Sequence, residues 1–279
     1  MNLGELELQV IQDGTFALDG GAMFGVVPRP VWSRLAPPDE QNRIPLSLNC
    51  LLIRAGACTL LVEAGLGHDH TPEYRERFGC VEIGGLEARL AAHGVRPQDV
   101  DRVLLTHLHV DHAGGVSRRR PDGTWEAAFP AAEIWIQRGE WEAARQANER
   151  EQAAYMPERL LPLVSEGRVR FMDGDAEVAA GVRVEVLGGH TRHMMGVWIE
   201  IGSGTAFFGS DLVPTAAHLR YPYIMAFDLD PTRTLQQKKR LLRRAASEGW
   251  WWIFSHDARP MVRLAEDDES RIRVREEAV

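Results

Sequence analysis

A chain of 279 residues with a formal charge of −8 can bury a sizeable core as one large domain or two small ones. The acidic balance argues against a nucleic-acid surface, where Lys and Arg must neutralise phosphates. Cys50, Cys58 and Cys80 are odd in number and lack CxxC spacing, which argues against a disulfide framework or a Cys-based zinc knuckle and fits reduced thiols in the cytoplasm. The start, MNLGELELQV, has no basic stretch leading into an apolar core, and no apolar run approaches the roughly 18 residues of a spanning helix, so neither a signal peptide nor a membrane partner is expected.

Residues 6–11 alternate apolar and polar, as a half-buried strand does. Residues 20–43 are rich in Gly and Pro yet carry Met23, Phe24, Val26, Val27, Val31 and Trp32, the composition of an arm or lid lying against something. Residues 48–54 and 59–63 form a hairpin around Ala55-Gly56-Ala57, and a helix over 86–93 ends at Gly94. Residues 103–105 are a short buried strand, and 134–136 are another. The basic run from Ser117 to Arg120 reads as a solvated turn before Pro121-Asp122-Gly123. Helices are predicted over 139–147 and 157–166, then strands over 169–172, 182–187, 197–201 and 205–208. The clearest helix covers 231–246, with Asp230 as N-cap, Pro231 in the first turn and basic residues towards its end. A last strand over 251–254 follows. Strands dominate both halves with helices between them, which suits sheets packed together with helices outside.

The chemistry is concentrated in THLHVDHAGG at 106–115, where His107, His109, Asp111 and His112 fall just past a strand. His190, Asp211 and His256 also sit one to three residues beyond apolar strands, where a rigid sheet holds loops in place. Side chains alternate in an extended segment, so His107 and His109 project to one side, while Asp111 and His112 cannot easily serve the same small ion. These seven donors exceed what one tetrahedral zinc takes, whereas two ions sharing a bridging carboxylate use them all. Two such ions activate a water between them near neutral pH.

The set HLHVDH at 107–112 with His190, Asp211 and His256 resembles the HxHxDH–H–D–H signature of the metallo-β-lactamase superfamily. The resemblance implies an α/β fold: an αβ/βα sandwich of two mixed β-sheets face to face with helices outside, as a single domain over 1–279 with residues 20–45 as an N-terminal arm near the site. It also implies that His107, His109 and His190 bind one divalent ion, that Asp111, His112 and His256 bind a second, and that Asp211 bridges. Zinc suits this set first, with manganese, iron or cobalt also compatible. Two departures stand out. Many members carry Asp-Thr-Gly where this chain has Glu63-Ala64-Gly65, so Glu63 takes the place of the carboxylate that supports a metal-bound His. At the third ligand the chain reads GGHTRH over 188–193, which makes His193 a candidate pocket residue. His68-Asp69-His70 reads as a polar loop near the site mouth.

Four reactions fit such a centre. GAMFGVV at 21–27, PDEQNRIP at 38–45 with Asn49, and GSDLVPTAAH at 209–218 followed by YPY at 221–223 resemble the quorum-quenching lactonase-like branch. That likeness implies hydrolysis of acyl-homoserine lactones or carboxylic esters through a metal-bridging hydroxide, with Asp111 and Asp211 at the reaction centre. Met23 and Phe24 then contact an acyl chain or the partner of a homodimer, and Tyr223 or Tyr221 donates a hydrogen bond to the intermediate. Phosphoester or organophosphate hydrolysis is the alternative. Thioester hydrolysis is disfavoured because only 23 residues follow His256, little room for a further helical domain. An iron-dependent oxidoreductase is disfavoured because redox diiron relatives carry Glu in the place of His109, and mononuclear dioxygenases leave the second site unused.

Overall fold

The computed structural model describes residues 2–3, 6–202 and 204–275. Two mixed seven-stranded sheets lie face to face. The first runs in the order Asn2–Leu3, Leu6–Asp19, Arg43–Ala55, Cys58–Val62, Arg102–Leu104, Glu133–Gln137 and Val169–Met172. Its pairs are antiparallel up to Cys58–Val62 and parallel beyond it. The second sheet runs through Ala176–Ala179, Val182–Val186, Met195–Ile201, Gly204–Phe208, Trp251–Ile253, Met261–Glu266 and Ile272–Val274. Only Gly204–Phe208 and Trp251–Ile253 pair in parallel there, the crossover between them being the helix Pro231–Glu248.

The period of two explains why the central strands are apolar throughout. Leu51, Ile53, Leu60 and Val62 meet Val197, Ile199, Ala206, Phe208 and Ile253 between the sheets. Their chain neighbours Cys50, Leu52 and Leu61 face outward onto Leu86, Leu90, Trp141, Leu160 and Leu163 of the helices covering the first sheet. Trp198, Phe207, Trp252 and Phe254 face outward onto Leu241, Leu242 and Ala245 of the helix Pro231–Glu248. Strands with both faces covered cannot alternate polar residues. Each such apolar side chain contributes about 1.5–3 kcal/mol on burial. Among the described residues no helix is long and apolar enough to cross a membrane.

Several elements differ from the sequence expectation. The first long strand continues to Asp19, past a shift in register between Gln12 and Thr15, where Gly14 takes φ 89°. Asp13-Gly14 breaks the alternation at that bulge and hides the second half of the strand. The arm holds two short helices, Gly20–Phe24 and Arg29–Trp32; the Asp19 carboxylate accepts from the Ala22 amide at 2.8 Å to cap the first. Ser117–Arg119 is no turn but a strand paired with Trp125–Ala127, because Ser117 is buried and Arg118 ion-pairs with Glu126 on the partner strand. The helix capped by Asp230 runs to Glu248 and ends on left-handed Gly249, without basic residues in its last turn. Trp251–Ile253 is followed by two further strands.

Candidate metal centre

Strand Arg102–Leu104 is gripped on both sides by parallel neighbours, so the segment leaving it starts from a rigid point. The chain stays extended to His109, whose φ and ψ are −62° and 149°, and then makes one helical turn, Val110–Ala113. Extension groups His107 with His109, and the turn swings Asp111 and His112 away from them. His190 arrives through Gly188 and Gly189, both at positive φ; a Cβ on Gly189 would lie 2.5 Å from the Thr234 hydroxyl. Asp211 sits in a short helical turn, Ser210–Leu212, beginning at Ser210 with φ 47°. His256 is pinned across the sandwich: the Ser47 amide donates to its carbonyl at 3.0 Å, and the Asn49 side chain donates to the carbonyls of Phe254 and Asp257 at 3.1 and 2.8 Å.

The donors form two adjacent groups. His107, His109 and His190 present ligand atoms within 4.8 Å of one another, as do Asp111, His112, Asp211 and His256. Asp211 stands between the groups: its Oδ2 is 3.4 Å from His190 Nε2, while its Oδ1 is 3.3 Å from His112 Nε2 and 3.2 Å from His256 Nε2. Burial, reinforced by neighbouring histidines, holds His107 and His109 well below the usual imidazole range, so both keep free lone pairs. Burial opposes charge on His112 too, but Asp211, Asp111 and Glu63 outweigh it and push that group up. Burial likewise opposes the Asp211 carboxylate, yet His112 and His256 keep it ionised.

Four of the five rings have an engaged outward nitrogen. His190 Nδ1 lies 2.9 Å from Asp228 Oδ1, His256 Nδ1 lies 2.8 Å from the Ser47 carbonyl, and His112 Nδ1 lies 3.3 Å from Glu63 Oε1. His107 Nδ1 is 3.2 Å from the Thr106 hydroxyl, and His109 turns its Nδ1 inward, 3.0 Å from His190 Nε2. Nε2 of His107 and of His112 is buried without a hydrogen-bond partner. An unpaired buried nitrogen costs about 1–3 kcal/mol. Two of them aimed into a pocket of carboxylates fit a pair of divalent cations, with four of the five imidazoles oriented from behind as metal-binding histidines are.

Glu63, at φ 64°, accepts from the Thr106 hydroxyl and, at 3.3 Å, from the Thr106 amide, and faces His112. Thr106 also meets the Ser210 hydroxyl at 2.8 Å, tying the first loop to the turn that carries Asp211. Sequence reasoning missed Asp228, whose other oxygen accepts from the Thr234 hydroxyl at 2.7 Å. The available signal was the pair Asp228 and Asp230 ahead of one helix, of which only Asp230 is needed as N-cap.

A cavity of about 260 Å³ opens onto His109, Asp111, His190, Asp211 and His256. Much of its wall is apolar: Phe16, Leu18, Met23, Phe78, Met225, Phe227 and Leu229. Arg150 donates to the Ala226 carbonyl at 2.5 Å and ties the 150–154 segment, which also lines the cavity, to the loop at Met225 and Phe227. Met23 is thus one of the lining residues, but four other residues singled out in the sequence do not line this cavity. Phe24 is fully buried behind it, stacked between Trp32 at 5.3 Å and His218 at 4.4 Å. Tyr223 packs edge-on against Phe24, and its hydroxyl accepts from Arg220 at 3.3 Å. The Tyr221 hydroxyl accepts from Arg243 at 3.3 Å, towards the outer helix. The His193 ring packs against Gly139, which has no side chain to hold it off. In the loop at 68–70, His70 stacks on the cavity residue Tyr74 at 4.3 Å while His68 is largely exposed.

The sandwich and its donor-bearing edge correspond to a known family. A model of the metallo-β-lactamase superfamily matches residues 43–256, and the chain belongs to that superfamily. Within it, the chain is 30% identical over 169 residues to an N-acyl homoserine lactonase of Bacillus cereus, a match covering 57% of this chain and 60% of that relative. Thus the chain spans about 60% of the length of that curated relative. A probable metal-dependent hydrolase from Staphylococcus aureus superposes with a TM-score of 0.89 at 29% identity, covering 100% of both chains. An N-acyl homoserine lactone hydrolase with the product N-hexanoyl-L-homoserine at its catalytic metal centre superposes with a TM-score of 0.68 at 25% identity, covering 92% of this chain and 95% of that one.

Proposed function

We propose that this chain is a dinuclear metal-dependent hydrolase of lactones, of the N-acyl homoserine type first, and of carboxylic esters. The observation that carries the reading is Asp211, whose two oxygens face separate donor groups beneath an apolar cavity. Two divalent ions, zinc first, held by His107, His109 and His190 and by Asp111, His112 and His256 with Asp211 between them, would supply an activated water and a Lewis acid near neutral pH. The chain's own residues do the rest. Asp228, Ser47 and Glu63 fix the imidazole orientations, so the cradle needs no rearrangement during reaction. Met23, Phe16, Met225 and Phe227 receive the apolar substituent and thereby direct the carbonyl towards the cradle. Asp111 and Asp211 line the cavity at the cradle, where a carboxylate would take up the proton that the attacking water gives up and return it to the departing alkoxide. The lactonase relatives support this substrate class. A cytoplasmic location and a homodimer built on the arm belong to the same proposal.

A metal-reconstituted preparation assayed on acyl-homoserine lactones, aryl esters and paraoxon tests it. Lactone turnover is expected to exceed the others. Absent lactone turnover beside strong phosphoester or thioester turnover would sink the reading.

A further inference from the structure

Lys238 and Lys239 are the only lysines among 32 basic residues, and Lys238 is wholly buried. Taking an ammonium out of water costs several kcal/mol unless its donors are satisfied. Here they are: Nζ donates to the backbone carbonyls of His218 at 2.7 Å, Arg220 at 2.9 Å and Tyr223 at 2.6 Å. Three convergent carbonyls suit the rotatable donors of an ammonium and not the planar fork of a guanidinium, which explains a lysine at 238 in a chain whose other basic residues, Lys239 apart, are arginines. Burial, offset in part by Asp228, pushes its pKa down to about 7, yet three carbonyls that each demand a hydrogen are satisfied only by the ammonium form.

The loop held in this way carries the arm. The His218 ring takes the Thr215 hydroxyl at Nδ1 (2.8 Å) and donates from Nε2 to the Met23 carbonyl at 2.9 Å. Its face stacks on Phe24, and the Ala226 amide donates to the Ala22 carbonyl at 2.8 Å. Gly25, at φ 54°, passes so close to Ile224 that a Cβ would lie 2.5 Å from its carbonyl oxygen. Met23 on the arm and Met225 on the loop are both cavity walls. One helical turn before Lys238, Thr234 serves the metal cradle through Asp228. A single buried helix face thus mounts both halves of the site, by separate side chains.

We propose that Lys238 is a positioning residue for substrate selection: by fixing the loop from His218 to Tyr223 and the arm docked on it, it sets the length of apolar group the cavity admits. This rests on the reading that the cavity takes the substrate's apolar substituent. The test uses metal-loaded Lys238→Met and His218→Leu, the second breaking the loop–arm contact at the Met23 carbonyl while the three carbonyls on Lys238 keep their donor. Values of kcat and KM are measured across acyl lactones and aryl esters of increasing chain length, and across dialkyl aryl phosphates of increasing alkyl length. Both variants are expected to keep wild-type metal content. KM for the longest chains should rise roughly tenfold, the scale of a methylene-level discrimination, with kcat on the shortest substrate nearly unchanged, so that the length preference flattens. Faster amide exchange over residues 22–32, without change over 104–112, should accompany it. An equal fall in kcat at every length, or an intact length preference in whichever variant folds, overturns the proposal. If the wild type hydrolyses only the phosphates, the lactonase reading fails, and the alkyl series then decides on Lys238 by the same criterion.

Discussion

The two halves of the site are built by different means. In the cradle every donor leaves the end of a strand or a one-turn helix, and a partner behind the ring fixes His107, His112, His190 and His256. In the cavity wall Phe16 and Leu18 stand on the first long strand, but Met23 comes from a short arm helix and Met225, Phe227 and Leu229 from irregular loops, held by a few long-range contacts such as Lys238 to Tyr223 and Arg150 to Ala226. Metal chemistry tolerates displacements of only a few tenths of an ångström, so it is mounted on sheet. Recognition of an apolar group tolerates more, and loops serve. Substitutions in the cradle should therefore abolish chemistry, and substitutions in the wall should change preference.

The largest effect is expected at Asp211. Asp211→Asn removes one of the two negative oxygens between the donor groups and leaves His112 and His256 without the carboxylate nearest their Nε2. Activity should fall at least about a thousandfold together with metal content. Full metal loading with a normal rate would refute the bridging role.

Behind the cradle, Asp13 is buried at the bulge of the first long strand, and burial pushes its pKa up to about 7 against the Gly84 amide and Arg89. Its folded pKa lies above the unfolded one, so the folded state holds the proton across about pH 4 to 7, and stability is lost as pH rises through that window. Asp13→Asn should be more stable than the wild type at pH 8 by on the order of a few kcal/mol, and the advantage should vanish towards pH 4. Urea denaturation of both proteins along the pH series measures the difference, in which any loss of metal common to both cancels. A pH-independent difference would place the burial penalty elsewhere.

Asp228→Asn should cost less than Asp211→Asn, because it acts through His190. Loss of the charged acceptor at Nδ1 is expected to weaken metal retention or activity about 10–100-fold, with Thr234→Val smaller still. Competition with a chelator reads the affinity directly. Equal metal retention in wild type and Asp228→Asn would show that the acceptor at Nδ1, which an asparagine oxygen can still supply, needs no charge.

The same division governs what the sequence discloses. Donors at strand ends are readable because a strand is an apolar run of known length and His107, His109 and His112 have few other reasons to crowd beyond one. Glu63 is readable by its place after the second hairpin strand. Asp228 is not, since its partner His190 lies 38 residues away and only the tertiary fold brings them together. Tyr223 follows Asp211 by a dozen residues and looks available, but the ring is taken by Phe24 and the hydroxyl by Arg220, contacts that no local pattern encodes. The strand Ser117–Arg119 is hidden for the converse reason: Arg118 and, just past its end, Arg120 both pair with Glu126 across the hairpin, so charge there marks an ion-paired surface ribbon.

The smallest expected effect separates the halves most cleanly. Met23 is buried and lines the cavity, so Met23→Leu keeps the volume nearly constant and should change stability by less than about 1.5 kcal/mol. A branched side chain there still blunts the wall, because methionine bends to fit an irregular gap and leucine does not. The expected outcome is a few-fold change in KM confined to substrates with long apolar groups, with kcat on a short ester and the metal content both unaltered. A fall in kcat on every substrate would mean that the arm reaches the cradle after all, through His218 and the turn that carries Asp211, and that the separation between mount and wall is weaker than the hydrogen bonds imply.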